Sequence, residues 1–144
     1  MGDCLCYSKV IALGAFGGRI DQTIASIHVL YKMNSLFSEK CRENEIILMD
    51  ENSLMVYLEA GENIIKRSKK YESTKGVGLI PLGDKVEKIQ TQGLKYNMGN
   101  SEDPISSLDF KDRISTSNEI VDELVKITIS DPVLFSTTIN SAEF

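Results

Sequence analysis

The sequence predicts a β-α-β unit of α/β type followed by an all-β antiparallel sandwich of jelly-roll character, with the change near residue 50. Two observations carry that reading. Before Asp50 an apolar run, Val10-Ile11-Ala12-Leu13, leads through glycines into a pattern of helical period and then into a second apolar run, Glu45 to Met49, the order that builds parallel sheets. After Asn52 the periodicity shortens to two, in brief segments separated by turn residues, as in sandwiches and rolled sheets. Residues 1–52 are therefore assigned to an α/β part and 53–144 to a β-sandwich.

In the first part a strand is expected over Lys9 to Phe16 and a helix over about Ile20 to Phe37, with Ile20, Ile24, Ile27 and Tyr31 on one face. Ser38 to Asn44 is a charged connection to the strand Glu45 to Met49. In the second part strands are expected at Leu54 to Leu58, Asn63 to Lys66, Val77 to Leu82, Lys85 to Thr91, Ile114 to Ser117, Leu124 to Ile129 and Val133 to Ile139. Lys66-Arg67-Ser68-Lys69-Lys70 and the Gly-, Asn-, Ser- and Asp-rich stretch Met98 to Asp112, which holds Pro104, read as mobile, solvated loops.

Composition excludes several classes of function. With 16 basic against 21 acidic residues the formal charge is -5, which gives no general attraction for nucleic acid or an anionic membrane. No segment approaches the run of about 18 apolar residues of a membrane span, and no secretory signal is evident, so the expected compartment is the cytoplasm. Cys4, Cys6 and Cys41 are an odd set for a disulfide framework. Their spacing, even with His28, does not match a zinc knuckle, and His28 reads as a packed or boundary residue of the helix. Met1-Gly2-Asp3-Cys4-Leu5-Cys6 has part of a dual acylation signal, but it lacks the hydroxyl residue and basic cluster that would complete one. An unmodified chain with poorly ordered first residues is expected.

Three stretches carry candidate chemistry. Gly17-Gly18-Arg19-Ile20-Asp21-Gln22 stands between strand and helix, where glycines permit a sharp turn, the helix start favours an anion, and Arg19 can grip a phosphate with two hydrogen bonds. It is neither a Walker loop nor a dinucleotide fingerprint. Asp21 on its own reads as a first-turn carboxylate complementing the helix dipole, and Gln22 as a neutral hydrogen-bonding group. About ninety residues on, Ser115-Thr116-Ser117-Asn118-Glu119 gathers hydroxyl and amide groups of the sort that line polar pockets. No His or Lys stands beside it in the sequence to activate a nucleophile, so these residues are expected to bind rather than attack. Tyr96, in Thr91-Gln92-Gly93-Leu94-Lys95-Tyr96-Asn97, offers a flat ring for stacking or for core packing.

In this order, together with Gly78-Leu79-Ile80-Pro81-Leu82-Gly83, these segments resemble the thiamine pyrophosphokinase family, collinearly from about Lys9 to the C-terminus. The resemblance implies diphosphate transfer from ATP to thiamine, giving thiamine diphosphate and AMP, with Mg2+ in the complete enzyme. It places Gly17, Gly18, Arg19 and Gln22 at the nucleotide and phosphates, and Arg19 and Asp21 at the transfer centre with Asp21 as a metal ligand. Ser115, Ser117 and Asn118 would bind the aminopyrimidine of thiamine, with Tyr96 standing where the family usually has tryptophan. It also implies a homodimer whose subunits share the thiamine pocket. A nucleotide domain bearing metal-binding aspartates is expected ahead of Lys9 in a complete member. The alternative is a catalytically incomplete thiamine-binding, regulatory or dimerisation module.

Overall fold

The structure, a computed structural model, describes residues 9–40, 45–68, 75–104 and 106–140, with side chains to residue 36 in the first of these segments. The cysteines, the N-terminal hexapeptide, Lys69 and Lys70 fall outside the described residues. The chain is mostly β with one helix: β1 (Lys9–Leu13), α1 (Ile20–Lys40), β2 (Glu45–Met49), β3 (Ser53–Leu58), β4 (Gly61–Lys66), β5 (Lys75–Ile80), β6 (Ile89–Gln92), β7 (Ser115–Glu119), β8 (Leu124–Ile129) and β9 (Val133–Thr138).

β1 and β2 pair in parallel through the crossover helix, with Ile11 opposite Ile47 and Leu13 opposite Met49. β1 stops at Leu13 rather than Phe16 because the chain turns at Gly14, whose φ is 70°. α1 packs mainly on β2 and β3, with Ala12 of β1 at the margin of the same layer. Its buried side is therefore Leu30 with Ile27, Tyr31 and Met33, while Ile20 and Ile24 remain 74% and 60% exposed and His28 faces solvent. The expected face is corrected accordingly: only its C-terminal members, Ile27 and Tyr31, meet the sheet.

Strands β1-β2-β3-β9-β5-β7 form one six-stranded sheet and β4-β8-β6 a three-stranded one. The larger sheet runs straight through the compositional change at residue 52, since β2 pairs with β3. Alternation along β3 and β9 sends side chains to two separate cores. Val56, Leu58, Val133 and Phe135 meet Val125, Ile127 and Ile129 of β8 between the sheets. Leu134, Met55 and Tyr57 join Leu30, Ile46 and Leu48 beneath α1, where Tyr57 meets Tyr31 edge to face at 5.0 Å between centroids. Burial in this layer pushes the Tyr31 hydroxyl above its ordinary pKa.

The stretch Met98 to Asp112 departs from the solvated loop expected of its composition. Met98 and Leu108 are 3% and 0% exposed. Val86 and Leu108 exchange backbone hydrogen bonds of 2.8 and 2.9 Å, and Arg113 donates to Asp103 at 2.5 Å. Asn100 Oδ1 accepts from the amides of Glu102 and Asp103, so its polar residues build turns around a buried apolar anchor. Leu108→Ala should therefore cost about 2–5 kcal/mol, as a core truncation does. Urea denaturation monitored by circular dichroism reads this, and a change within about 0.5 kcal/mol, as at an ordinary surface position, would return the segment to the solvated class.

Candidate functional site

The polar strand and the aromatic turn form one rigid unit. Asn118, 3% exposed, turns inward from β7. Its Oδ1 accepts from the amides of Tyr96 at 3.1 Å and Glu119 at 2.9 Å, and its Nδ2 donates to the Tyr96 carbonyl at 2.9 Å. The turn is fastened from its other side by Asn97, whose Oδ1 accepts from the Leu94 amide at 3.1 Å and from the Thr91 hydroxyl at 3.3 Å. Thr91 Oγ1 in turn accepts from the Met98 amide at 2.9 Å. Gly93 is required here: its φ is 87°, and a Cβ would stand 2.4 Å from the Leu124 carbonyl oxygen.

Held in this way, the backbone of the turn cannot move away from β7, yet the Tyr96 ring is 63% exposed. Lys95 Nζ lies 5.7 Å from its centroid and 3.2 Å from Glu119 Oε2, and the hydrogen bond to Glu119 holds the Lys95 pKa above its ordinary value. The turn thus offers an aromatic face rimmed by a paired cation and carboxylate.

Next to it, β7 breaks its alternation. Between the partners Val77↔Asn118 and Leu79↔Ser115 it holds one residue more than β5, and Ser117 takes φ 58°, the only described non-glycine residue with positive φ. The bulge leaves Asn118 buried, Ser117 exposed and Ser115 half-buried. Backbone strain of this sort clusters at ligand sites.

The glycine turn stands elsewhere. Gly17 and Gly18 have φ 85° and 66°, and nothing lies within 4 Å of where their Cβ atoms would be, so the turn is open to solvent. Arg19 and Asp21 face each other: Nε donates to Oδ1 at 3.0 Å and a terminal nitrogen to Oδ2 at 2.5 Å, in an exposed pair. Gln22 is exposed beside them. Both oxygens of Asp21 are engaged by Arg19, and no cluster of three or more His, Cys, Asp or Glu occurs among the described residues. A lone carboxylate already neutralised by its neighbour does not fit a magnesium ion without further ligands.

These two groups occupy opposite edges of one sheet. β1, which feeds the glycine turn, and β7 are its terminal strands. Five steps of about 4.8 Å separate them, or roughly 24 Å. The structure bonds Tyr96 to Asn118, on the strand that also carries Ser115 and Ser117, and keeps Gly17, Gly18, Arg19, Asp21 and Gln22 on the glycine turn at the opposite edge of the sheet. Sequence reasoning missed Lys95, Asn97 and Glu119. An asparagine three residues after the turn leucine, free to accept its amide, was the available signal for Asn97.

The strained, polar edge strand and the aromatic turn bonded to it both fall within residues 62–134, which the family model for the thiamin pyrophosphokinase vitamin B1 binding domain matches. The chain belongs to the thiamine pyrophosphokinase family. It is 27% identical to thiamine pyrophosphokinase 1 of Oryza sativa subsp. japonica over 132 residues, covering 92% of this chain and 45% of the rice protein. It is 28% identical to thiamin pyrophosphokinase 1 of Caenorhabditis elegans, covering 90% of this chain and 49% of that protein. The solved thiamin pyrophosphokinase from Candida albicans superposes with a TM-score of 0.76 at 28% identity, over 92% of this chain and 44% of that one. The chain thus spans less than half the length of these relatives.

Replacing Asn118 with alanine should leave the Tyr96 amide and carbonyl without their partner. A loss of about 1–3 kcal/mol in stability is expected, with hydrogen exchange accelerating first at Tyr96. Unchanged exchange there would show that the clamp is not what holds the turn.

Proposed function

We propose that this chain supplies the thiamine-binding part of a thiamine pyrophosphokinase, the enzyme that transfers diphosphate from ATP to thiamine and releases AMP. The observation that carries the reading is the clamped Tyr96 turn beside the serines of bulged β7, all inside the span matched by the vitamin B1 binding model. Ser115 and Ser117 offer hydroxyls to the donors and acceptors of the aminopyrimidine, and Tyr96 offers its face to a ring, with Lys95 and Glu119 at the rim. Asn118 serves the ligand indirectly, by fixing Tyr96. The strand order β3-β9-β5-β7 against β4-β8-β6 supports a jelly roll for residues 53–144, and the parallel β1-α1-β2 unit supports reading 1–52 as the edge of an α/β domain.

Separation of Arg19 and Asp21 from the serines by the width of the sheet supports a homodimer in which the glycine turn of one subunit faces the β7 edge of its partner. There Gly17, Gly18, Arg19 and Gln22 would hold phosphate oxygens, and Arg19 would exchange Asp21 for phosphate, freeing the carboxylate towards the transfer centre. Magnesium, when bound, would neutralise charge on the ATP oxygens; Asp21 alone does not fit it, so its ligands would have to come from residues other than those described. The thiamine hydroxyl attacks the β-phosphorus in line, and catalysis rests on positioning. A cytoplasmic location accords with such a metabolic role, and no helix of the described residues is long and apolar enough to cross a membrane. The alternative is a catalytically incomplete thiamine-binding, regulatory or dimerisation module.

Calorimetry with thiamine separates these ideas from a purely structural sandwich. Ser117→Gly is the informative variant, because glycine accepts φ 58° without strain and removes only the hydroxymethyl group. Binding should weaken by about 1–3 kcal/mol while the unfolding midpoint holds or rises. Tyr96→Ala should weaken binding tenfold or more, and Tyr96→Phe should retain it. Equal affinity in all variants would remove these residues from the site.

A coupled assay for AMP on the purified chain with ATP, Mg2+ and thiamine should give negligible turnover. Robust activity lost on Asp21→Asn would overturn the alternative and establish this chain as sufficient for catalysis.

A further inference from the structure

The two sheets differ in extent, six strands against three, so the smaller one ends over the inner face of the larger. One edge of the smaller sheet is closed. Along β6 the Ile89 amide donates to the Ser106 carbonyl at 2.6 Å, and the Thr91 amide to that of Met98 at 3.0 Å. Among the described residues the other edge, β4, has no such cover. Its ladder with β8 runs through unbroken pairs from Gly61↔Ile129 to Lys66↔Leu124, and it contains neither proline nor bulge, two devices that blunt an edge.

The backbone groups left over on β4 can be named. The Arg67 amide donates to the Glu123 carbonyl at 3.0 Å, one step beyond the last pair of the ladder. Hydrogen-bonded pairs alternate along an antiparallel ladder, so Ile65 and Asn63 also turn their backbone groups towards β8. Glu62, Ile64 and Lys66 turn theirs away, to a side where no described strand lies. Beside that side runs a groove of about 480 Å³, within the roughly 300–1,000 Å³ of ligand sites. Consecutive residues of β4, Asn63 to Lys66, line it, as befits a groove along a backbone rather than between side chains. Ile47, Leu54 and Ile65, which border it, are the hydrophobic residues that the core between the sheets leaves only partly buried. That core is thus incomplete along one line, where the smaller sheet lacks a further strand.

A charge marks one end of the line. Arg67 follows Asn63 and Ile65 on the inward side of β4, and its Nε is buried without a hydrogen-bond partner. A buried cation of this kind calls for an acceptor. Lys9, which also borders the groove, is already held by Glu45 at 3.2 Å.

We propose that the β4 edge receives an extended peptide segment of a partner protein, which adds a strand to the smaller sheet and sets a carboxylate on Arg67. The backbone of the segment meets the free groups of Glu62, Ile64 and Lys66, and its alternate, apolar side chains descend onto Ile47, Leu54 and Ile65. An acyl chain would cover the same side chains but bury those backbone groups without partners. A second copy of this chain is also the poorer occupant. Two β4 strands related by a twofold axis at Ile64 set Gly61 opposite Arg67 and bring it no carboxylate. The groove follows β4 on the smaller sheet, whereas β7 belongs to the larger one, and the inference does not depend on thiamine being the ligand.

The test is fluorescence anisotropy with a short labelled peptide that alternates valine with threonine and carries one terminal aspartate. It is made in two forms, aspartate first or last, because Arg67 fixes the end of the groove and not the direction of the strand. Saturable binding of one form is expected, weakened at least tenfold when asparagine replaces its aspartate. In Arg67→Gln that difference should vanish. Ile64→Pro removes an amide that faces the groove and none that bonds to β8, so it should abolish binding while the thermal midpoint holds. Hydrogen exchange on the unaltered chain tests the same point without relying on that variant to fold: bound peptide should slow the Ile64 and Lys66 amides at least tenfold. Three results would overturn the proposal. They are binding of neither form, with laurate bound in its place or not; binding that leaves Ile64 and Lys66 exchanging as before; and slow exchange of both in the chain alone, the sign of an edge covered by its own chain or a second copy.

Discussion

Pairing of β3 with β9 is the constraint on which the rest of the molecule depends. Six consecutive residue pairs, Ser53↔Thr138 to Leu58↔Val133, join β3, the neighbour of the βαβ unit, to β9, the last described strand. β9 is buried on both faces: Leu134 belongs to the layer under α1, and Val133 and Phe135 belong to the core between the sheets. A slip of one residue would exchange those faces and damage both cores together. The register of this pair therefore fixes where α1 sits, how β5 and β7 line up beyond β9, and which side chains of the polar edge point outward.

Much of this was legible in the sequence. Strict alternation in Leu124 to Ile129 and the apolar run of Val133 to Phe135 mark a half-buried and a central strand, and the glycine-punctuated βαβ unit was evident from its apolar runs. What escaped the reading shares one physical origin, which is that tertiary neighbours decide burial. Ile20 and Ile24 have helical spacing, but the sheet does not extend beneath them. Leu108 sits among polar residues, and its burial follows from bridging to Val86, a partner distant in sequence. Asn118 stands in the same polar run as Ser115 and Ser117 yet is buried, because a bulge that composition does not announce turns it inward.

The bulge also explains how one strand can bury Asn118 and still expose Ser117. A regular strand would place Ser115 and Ser117 on one face and Thr116 and Asn118 on the other. Inserting one residue opposite β5 lets Asn118 reach the Tyr96 backbone while Ser117 stays in solvent, with its positive φ as the local cost. That cost is offset by three hydrogen bonds at Asn118 and by the ion pair of Lys95 with Glu119 immediately after it. Clamp and strain are thus parts of one arrangement: the bonds that hold the turn are those that keep the serine in its sparsely populated conformation.

Contrast between the two edges sets how such a chain can assemble. An edge that is bulged, strained and polar resists strand addition but presents side chains, so it suits contact through a ligand or through side-chain packing. An edge that is flat, apolar and parallel offers backbone hydrogen bonds and invites strand addition. Because roughly 24 Å of sheet lies between them, the two kinds of contact do not compete for surface. Arg19 and Asp21 stand at the start of the helix that follows β1, so whatever orders that edge also orders the turn carrying them. On the twofold reading proposed above, the serines would come from one sheet edge and the arginine from the opposite edge of the other subunit.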